Sequence, residues 1–442
     1  MTRHMHLGVF VQAAGHHVSA WRLPDAEAGG ENLRLLQRIA TTAERGRFDL
    51  LFLADGLTTG AEAHPSTVVR LEPLTLLGAL AMSTSHIGLA ATASTTYAEP
   101  FHTARVFASL DHLSGGRAAW NVVTTSYARS AENFSRGTHP DHDARYEIAE
   151  EFVDVCKGLW DSWDDGAVRM DKDSGVFADP AGMHVLDHKG KHFAVRGPLN
   201  VSRPPQGHPV IIQAGSSGPG QDLAARPADV VFTAQGDLAE AQAFYRSLKG
   251  RLHANGRGPG AIAVMPGVFP IIGRDRAEAD ENYRRLRALT DLPGALALLS
   301  DRLGHDVRGL DLDAPLPDLP ISDQLRSRAE LLTALARREN MTVRELALHA
   351  GMARGHRVLR GTPVEVADAL QEWFDAEAAD GFNVMPPWFP TQFDLFVDHV
   401  VPELQRRNLF RREYEGPTLR DQLGIARPRS RYDAARDRKG AA

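Results

Sequence analysis

The chain has 442 residues, of which 43% are hydrophobic and 24% charged, and a formal net charge of −6. This is ordinary globular composition, long enough to bury a large core without staples; it carries no basic stripe suited to nucleic acid and no run of 18 apolar residues suited to a membrane. The single cysteine, Cys156, excludes an intramolecular disulfide, and the start MTRHMHLGVF lacks the apolar core of a signal peptide, so a reduced, cytoplasmic setting is expected.

Eight short apolar segments predict strands at 6–12, 50–55, 87–95, 118–125, 209–215, 229–234, 263–273 and 381–385. Most are near-continuous hydrophobic runs, the pattern of parallel strands buried on both faces. Helical periodicity lies between many of them. Leu33, Leu36, Ala40 and Ala43 share one helical face, as do Tyr146, Ala149, Val153, Cys156 and Trp160. Thr362-Pro363-Val364-Glu365 supplies an N-cap, a proline at the first helical position and the glutamate of a capping box. Strands alternating with helices place the chain in the α/β class. Eight such units predict a (β/α)8 TIM barrel, with a doubly wound open sheet as the alternative.

Two connections exceed a plain strand-to-helix link: 126–208 after strand 4 and 274–380 after strand 7. The second holds a proline-rich turn at 314–320 and helical stretches near 327–338 and 342–349. Both read as long insertions in a single domain over 1–426. An arginine-rich stretch at 427–442 without periodicity reads as a flexible basic tail.

In such a barrel, polar residues at the C-terminal ends of strands carry chemistry. His16 and His17 follow the first strand. Asp55 ends the second, as a carboxylate at the mouth or as a turn residue before Gly56. Ser94 ends the third, where a hydroxyl can bond a ligand or cap the next helix. Asn121 sits inside an apolar strand, so its amide either braces backbone or faces a polar ligand. His142 and Tyr146 stand four apart at a helix start, where free N–H groups and the helix dipole favour an anion. Ser216 and Ser217 lie in the loop Gly215-Ser216-Ser217-Gly218-Pro219-Gly220, whose glycines let backbone approach a phosphate. The loop lacks a nucleotide-loop lysine, and no dinucleotide fingerprint occurs elsewhere. With no HExxH pair or cysteine cluster, no metal is expected. Trp388 and Phe389 read equally as an apolar pocket wall or as core.

The ordered segments VQAAGHHVSAWR, FLADG, ATASTTYAEPFHTARVFASLDHLSGGRAAWNVVTT, HDARYEIAEEFVDVCKGLWDSW, QAGSSGPG, GTPVEVADALQEWF and DGFNVMPP resemble flavin-dependent monooxygenases of the nitrilotriacetate and dibenzothiophene sulfone monooxygenase type, in the bacterial luciferase-like superfamily. The resemblance implies FMN, bound as FMNH₂ delivered by a separate NAD(P)H:flavin reductase. It also implies reaction with O₂ through a flavin (hydro)peroxide, and a homodimer or homotetramer. Carried over by position, it sets Asp55 and Ser94 near the flavin ring and Asn121 by the ring or ribityl chain. His142, Tyr146, Ser216 and Ser217 fall at the phosphate. His16 and His17 fall on the substrate side, as the catalytic pair. The aromatic residues near both histidines and at Trp388 and Phe389 suggest a largely apolar or aromatic substrate. A deazaflavin (F420)-dependent oxidoreductase of the same superfamily and a non-catalytic flavin carrier are the alternatives.

Overall fold

In the computed structural model, residues 3–60, 64–135, 138–320 and 326–433 are described. Eight parallel strands close a barrel: β1 His6–Val11, β2 Leu50–Leu53, β3 Gly88–Ser94, β4 Ala118–Val123, β5 Val210–Gln213, β6 Val230–Thr233, β7 Ala263–Ile272 and β9 Gly381–Val384. β9 pairs with β1 from Gly381 opposite His6, which closes the ring. All eight expected strands are present, each shorter at its ends than its apolar run. The TIM barrel is therefore the fold, and the open-sheet alternative is excluded by the β9–β1 and β6–β7 pairings.

A further strand, β8 at Arg357–Gly361, was not legible in the sequence. β7 is ten residues long; residues 263–266 pair with β6 and 267–268 with β9, while 268–272 also pair with β8 and run on beyond the ring. Arg357 and Arg360 break the hydrophobic run by which the barrel strands declare themselves.

Helices cover the outside: α1 Leu33–Arg45, α2 Pro73–Ala81, α3 Pro100–Ser114, α4 His142–Trp160, α5 Gly218–Ala225, α6 Leu238–Leu252, α7 Arg276–Leu289 and α11 Pro363–Asp375. Their starts follow capping chemistry. Asn32, Asp141, Asp237 and Asp275 each accept a backbone N–H of the first turn. The Thr362–Glu365 capping box forms as expected. Between α7 and β8, α8 Leu292–Leu303, α9 Arg326–Arg338 and α10 Val343–Ala353 build a helical insertion. It has its own core of residues such as Leu296, Leu299, Leu332 and Leu346.

Inward-facing residues fill the barrel. Phe10 meets Phe52 and Phe232 edge-on, at centroid distances of 4.9 and 5.6 Å. At the N-terminal end of the strands, Leu419 and Leu423 of the C-terminal segment join this cluster and plug the barrel. The segment expected to be a loose tail from Arg427 is instead docked over 427–433. Arg427 bonds both oxygens of Asp165 at 2.7 Å, and Tyr432 stacks on His184 at 4.1 Å. Residues 434–442 lie outside the described residues. Among those described, no helix is long and apolar enough to cross a membrane.

The plug is pinned by a buried ion pair. Arg420 donates to Asp229 at 2.9 and 3.2 Å and to the His208 carbonyl at 2.9 Å. Removing one partner of such a pair leaves an uncompensated buried charge, a loss of about 3–5 kcal/mol. Asp229→Ala is therefore expected to lower unfolding free energy by about that amount in urea titrations, and an unchanged midpoint would show the plug contributes little.

Candidate functional site

A cavity of about 350 Å³ opens where the strands end in their C-terminal direction. Its walls come from successive strand ends: Asp55 and Gly56 after β2, Ser94 in β3, residues 122–127 from β4, 213–217 from β5 and 232–234 from β6. The start of α4 supplies His142, Arg145 and Tyr146, and α9 supplies Leu331. Six of the expected residues thus meet in one space: Asp55, Ser94, His142, Tyr146, Ser216 and Ser217. From Asp55 to Ser217 they span 162 residues, and barrel closure brings them together.

The Gly215–Gly220 loop and the first turn of α4 both line the cavity. The Gly215–Gly220 loop turns so tightly that a Cβ on Gly215 would lie 2.9 Å from the Gly220 Cα, so both positions need glycine. Ser217 caps α5, its oxygen accepting the Gly220 N–H at 3.2 Å. Opposite stand the first turn of α4 and the rings of His142 and Tyr146, with centroids 4.9 Å apart. The Ser216 and Tyr146 hydroxyls make no hydrogen bond among the described residues.

Arg145, on the same helix as His142 and Tyr146, also lines the cavity and is absent from the residues the sequence singles out. It is 5% exposed, and it has no ion pair among the described residues. Nη1 donates to the Thr125 carbonyl at 2.7 Å and Nε to the Asp141 carbonyl at 3.3 Å. Burial pulls this guanidinium below its ordinary value. A buried charge without a counter-charge is unfavourable, and this one faces a cavity with further donors around it. An anion supplied from outside removes the imbalance.

The adjoining wall is strained. Thr125 has φ of +50°, rare for a β-branched residue and costing on the order of 1–3 kcal/mol. Two bonds hold it there: the one from Arg145, and its own hydroxyl donating to Ser94 Oγ at 2.6 Å. Ser94 Oγ also accepts the N–H groups of Thr96 and Tyr97, so it both braces the loop and lines the cavity. Asp55 pairs with Arg70 at 3.1 Å. Burial raises its carboxyl above the usual range, with Arg70 opposing.

Asn121 lies one layer below. Its Nδ2 donates to Thr92 Oγ1 at 2.8 Å, and Thr92 lines the cavity. The Asn121 Oδ1 is buried without a hydrogen-bond partner.

His16 and His17 stand apart from this group; neither lines the cavity, and both are fully buried. His16 Nε2 donates to the Phe10 carbonyl at 2.8 Å, and its Nδ1 accepts from Arg354 at 2.5 Å. His17 Nδ1 accepts the Ser19 N–H at 3.1 Å, and its Nε2 donates to Thr290 Oγ1 at 3.0 Å. All four ring nitrogens are thus engaged within the protein. Trp388 and Phe389 are also core: Trp388 donates to Asp25 at 2.9 Å and is 2% exposed, and Phe389 packs on Phe393. Among the described residues, no group of three or more His, Cys, Asp or Glu is placed to hold a metal.

Residues 5–380 match the family described as Luciferase-like monooxygenase. The chain belongs to that family. It is 53% identical over 430 residues to N-acetyl-S-(2-succino)cysteine monooxygenase of Bacillus subtilis (strain 168), covering 96% of this chain and 98% of the relative. It is 48% identical over 445 residues to nitrilotriacetate monooxygenase component A of Aminobacter aminovorans, covering 97% and 98%. Among solved structures, riboflavin lyase (RcaE) with modified FMN and riboflavin superposes with a TM-score of 0.84 at 31% identity, covering 97% of this chain and 98% of that one.

Burial holds the His17 imidazole down at about 4. Its unfolded value is about 6.5. Between these values the unfolded chain binds more protons, so acid favours unfolding. This group alone is expected to withdraw about 3 kcal/mol of stability as pH falls from 6.5 to 4. His17→Asn removes that share of the slope if the ring is buried and neutral; urea titrations of both forms across this range check it, and equal slopes would place His17 in solvent.

Proposed function

We propose that this chain is the oxygenating component of a two-component system, using FMNH₂ from a separate NAD(P)H:flavin reductase. Arg145 carries the reading: a buried guanidinium without an ion pair among the described residues, lining one cavity with Ser216, Ser217, Tyr146 and a helix N-terminus, suits a terminal phosphate. The rest of the cavity suits a polar heteroaromatic ring. It has apolar walls at Val122, Val123 and Phe232, an acid at Asp55 and hydroxyls at Thr92 and Ser94. No nicotinamide-binding loop was read in the sequence, which agrees with reduced flavin arriving from elsewhere.

Bound FMNH₂ supplies the electrons that activate O₂, so that RH + O₂ + FMNH₂ gives ROH + H₂O + FMN. The protein's part is to anchor the phosphate through Arg145, set the ring against Ser94 and Asp55, and exclude water. His16 and His17, as neutral donors with both nitrogens engaged, serve this by fixing the first loop against the insertion.

For the substrate, we favour an amine or thioether bearing carboxylates over an apolar arene. The aromatic pair behind the apolar reading, Trp388 and Phe389, is buried in the core. The relatives at 53% and 48% identity are named for compounds of the carboxylated kind. A second cavity of about 360 Å³ shares Leu331 with the first, and Arg338, Arg357, His349 and His356 line it alongside Glu240 and Glu339.

Arg145→Met is expected to weaken anaerobic FMNH₂ binding by about 10- to 100-fold, the range of a lost charged hydrogen bond. Reduced riboflavin, which lacks the phosphate, should bind both forms alike; equal losses for the two flavins would move the phosphate elsewhere. With ¹⁸O₂, label is expected in a carboxylated thioether or amine from a small panel. Label only in arenes or alkanes would restore the apolar substrate.

A further inference from the structure

The helical insertion α8–α10 is tied to the barrel on two sides. On one side, His17 bonds Thr290 just before α8, and His16 bonds Arg354 just after α10. On the other side, the fastening is Tyr127. This residue lines the cavity in the loop after β4. Its hydroxyl donates to Asp301 Oδ2 at 3.3 Å and accepts from Arg302 Nη1 at 3.2 Å. Both partners lie in the last turn of α8. That helix shares a core with α9, whose Leu331 forms part of the cavity wall.

We propose that Tyr127 is a positioning residue that clasps the insertion over the cavity and keeps bulk water from the bound flavin. The inference rests on the reading of the cavity as a reduced-flavin site. The clasp is also joined to the anion site. Two residues before Tyr127, Thr125 is held in its left-handed conformation by the Arg145 guanidinium that lines the cavity. An anion that fixes Arg145 therefore fixes the turn from which Tyr127 reaches the insertion. The two fastenings differ in kind: the histidine side is buried, while Tyr127, Asp301 and Arg302 sit at the rim, with Asp301 44% and Arg302 20% exposed. The rim side is the one that opens.

The test uses Tyr127→Phe, Arg302→Met and the double variant, with Asp301→Asn as the conservative control that keeps an acceptor for the phenol. Amide hydrogen exchange of residues 292–303 in the flavin-free protein should quicken about fivefold in the two single variants, the factor one net hydrogen bond is worth. The double variant should be no faster than either, because both remove the same fastening. Asp301→Asn should stay near wild type. In protein saturated anaerobically with FMNH₂ and pulsed with O₂, the rate of H₂O₂ release should rise about fivefold. Wild-type exchange in Tyr127→Phe overturns the clasp. Faster exchange with unchanged H₂O₂ release overturns its role in excluding water. Failure of the wild-type protein to bind FMNH₂ overturns the flavin reading instead, and the exchange data still decide the clasp.

Discussion

A buried guanidinium with no direct ion pair among the described residues lies at the centre of this account. Arg145 is on the first turn of α4, bonded to the Thr125 carbonyl in the loop after β4, and lines one cavity with the glycine-serine loop after β5. Each feature alone is common. Together they leave one positive charge, one helix N-terminus and unsatisfied hydroxyls around a single space, which is favourable only when an anion joins them. The same guanidinium holds the Thr125 carbonyl, so the charge that waits for the ligand also maintains the strained turn beside it. In the proposed reading, binding energy at the phosphate would thereby be connected to geometry at the flavin ring, where it can be used for positioning.

The barrel explains why such a site can exist. Its N-terminal end is closed by Leu419 and Leu423, pinned through Arg420 and Asp229. Its middle is filled by Phe10, Phe52 and Phe232. Only the C-terminal end is left to the loops, and there β7 leaves the ring to carry the insertion on its own ribbon with β8. That insertion bridges Tyr127 on one side of the mouth and the two histidines on the other. Water exclusion, which flavin oxygen chemistry requires, is in this account a property of how a helical subdomain is fastened rather than of any one reacting group.

Much of this was legible in the chain, for stateable reasons. The eight barrel strands are buried on both faces and so appear as apolar runs, whereas β8, as Arg-Val-Leu-Arg-Gly, does not. Asp55, Ser94, His142, Tyr146, Ser216 and Ser217 could be picked out because strand ends and helix starts are readable, and parallel closure brings such ends together. Arg145 is not legible because, in His-Asp-Ala-Arg-Tyr-Glu, an arginine reads as a solvated helix charge; its spacing of three from His142 is the available signal. The strain at Thr125 left no trace in Thr-Thr-Ser-Tyr. Arg354, which bonds His16, and Thr290, which bonds His17, lie 338 and 273 residues away, so the sequence around the histidines does not reveal that both nitrogens of each ring are engaged. Trp388 and Phe389 show the limit of hydrophobicity as a guide, since it cannot say whether a ring faces a ligand or the core.

The most direct measurement is a crystal structure of the protein with FMN bound. The account predicts the phosphate between the Arg145 guanidinium and the hydroxyls of Ser216 and Ser217, with the ring over Ser94 and Asp55. A phosphate held elsewhere, or a flavin whose ring end occupies the Arg145 pocket, would contradict it.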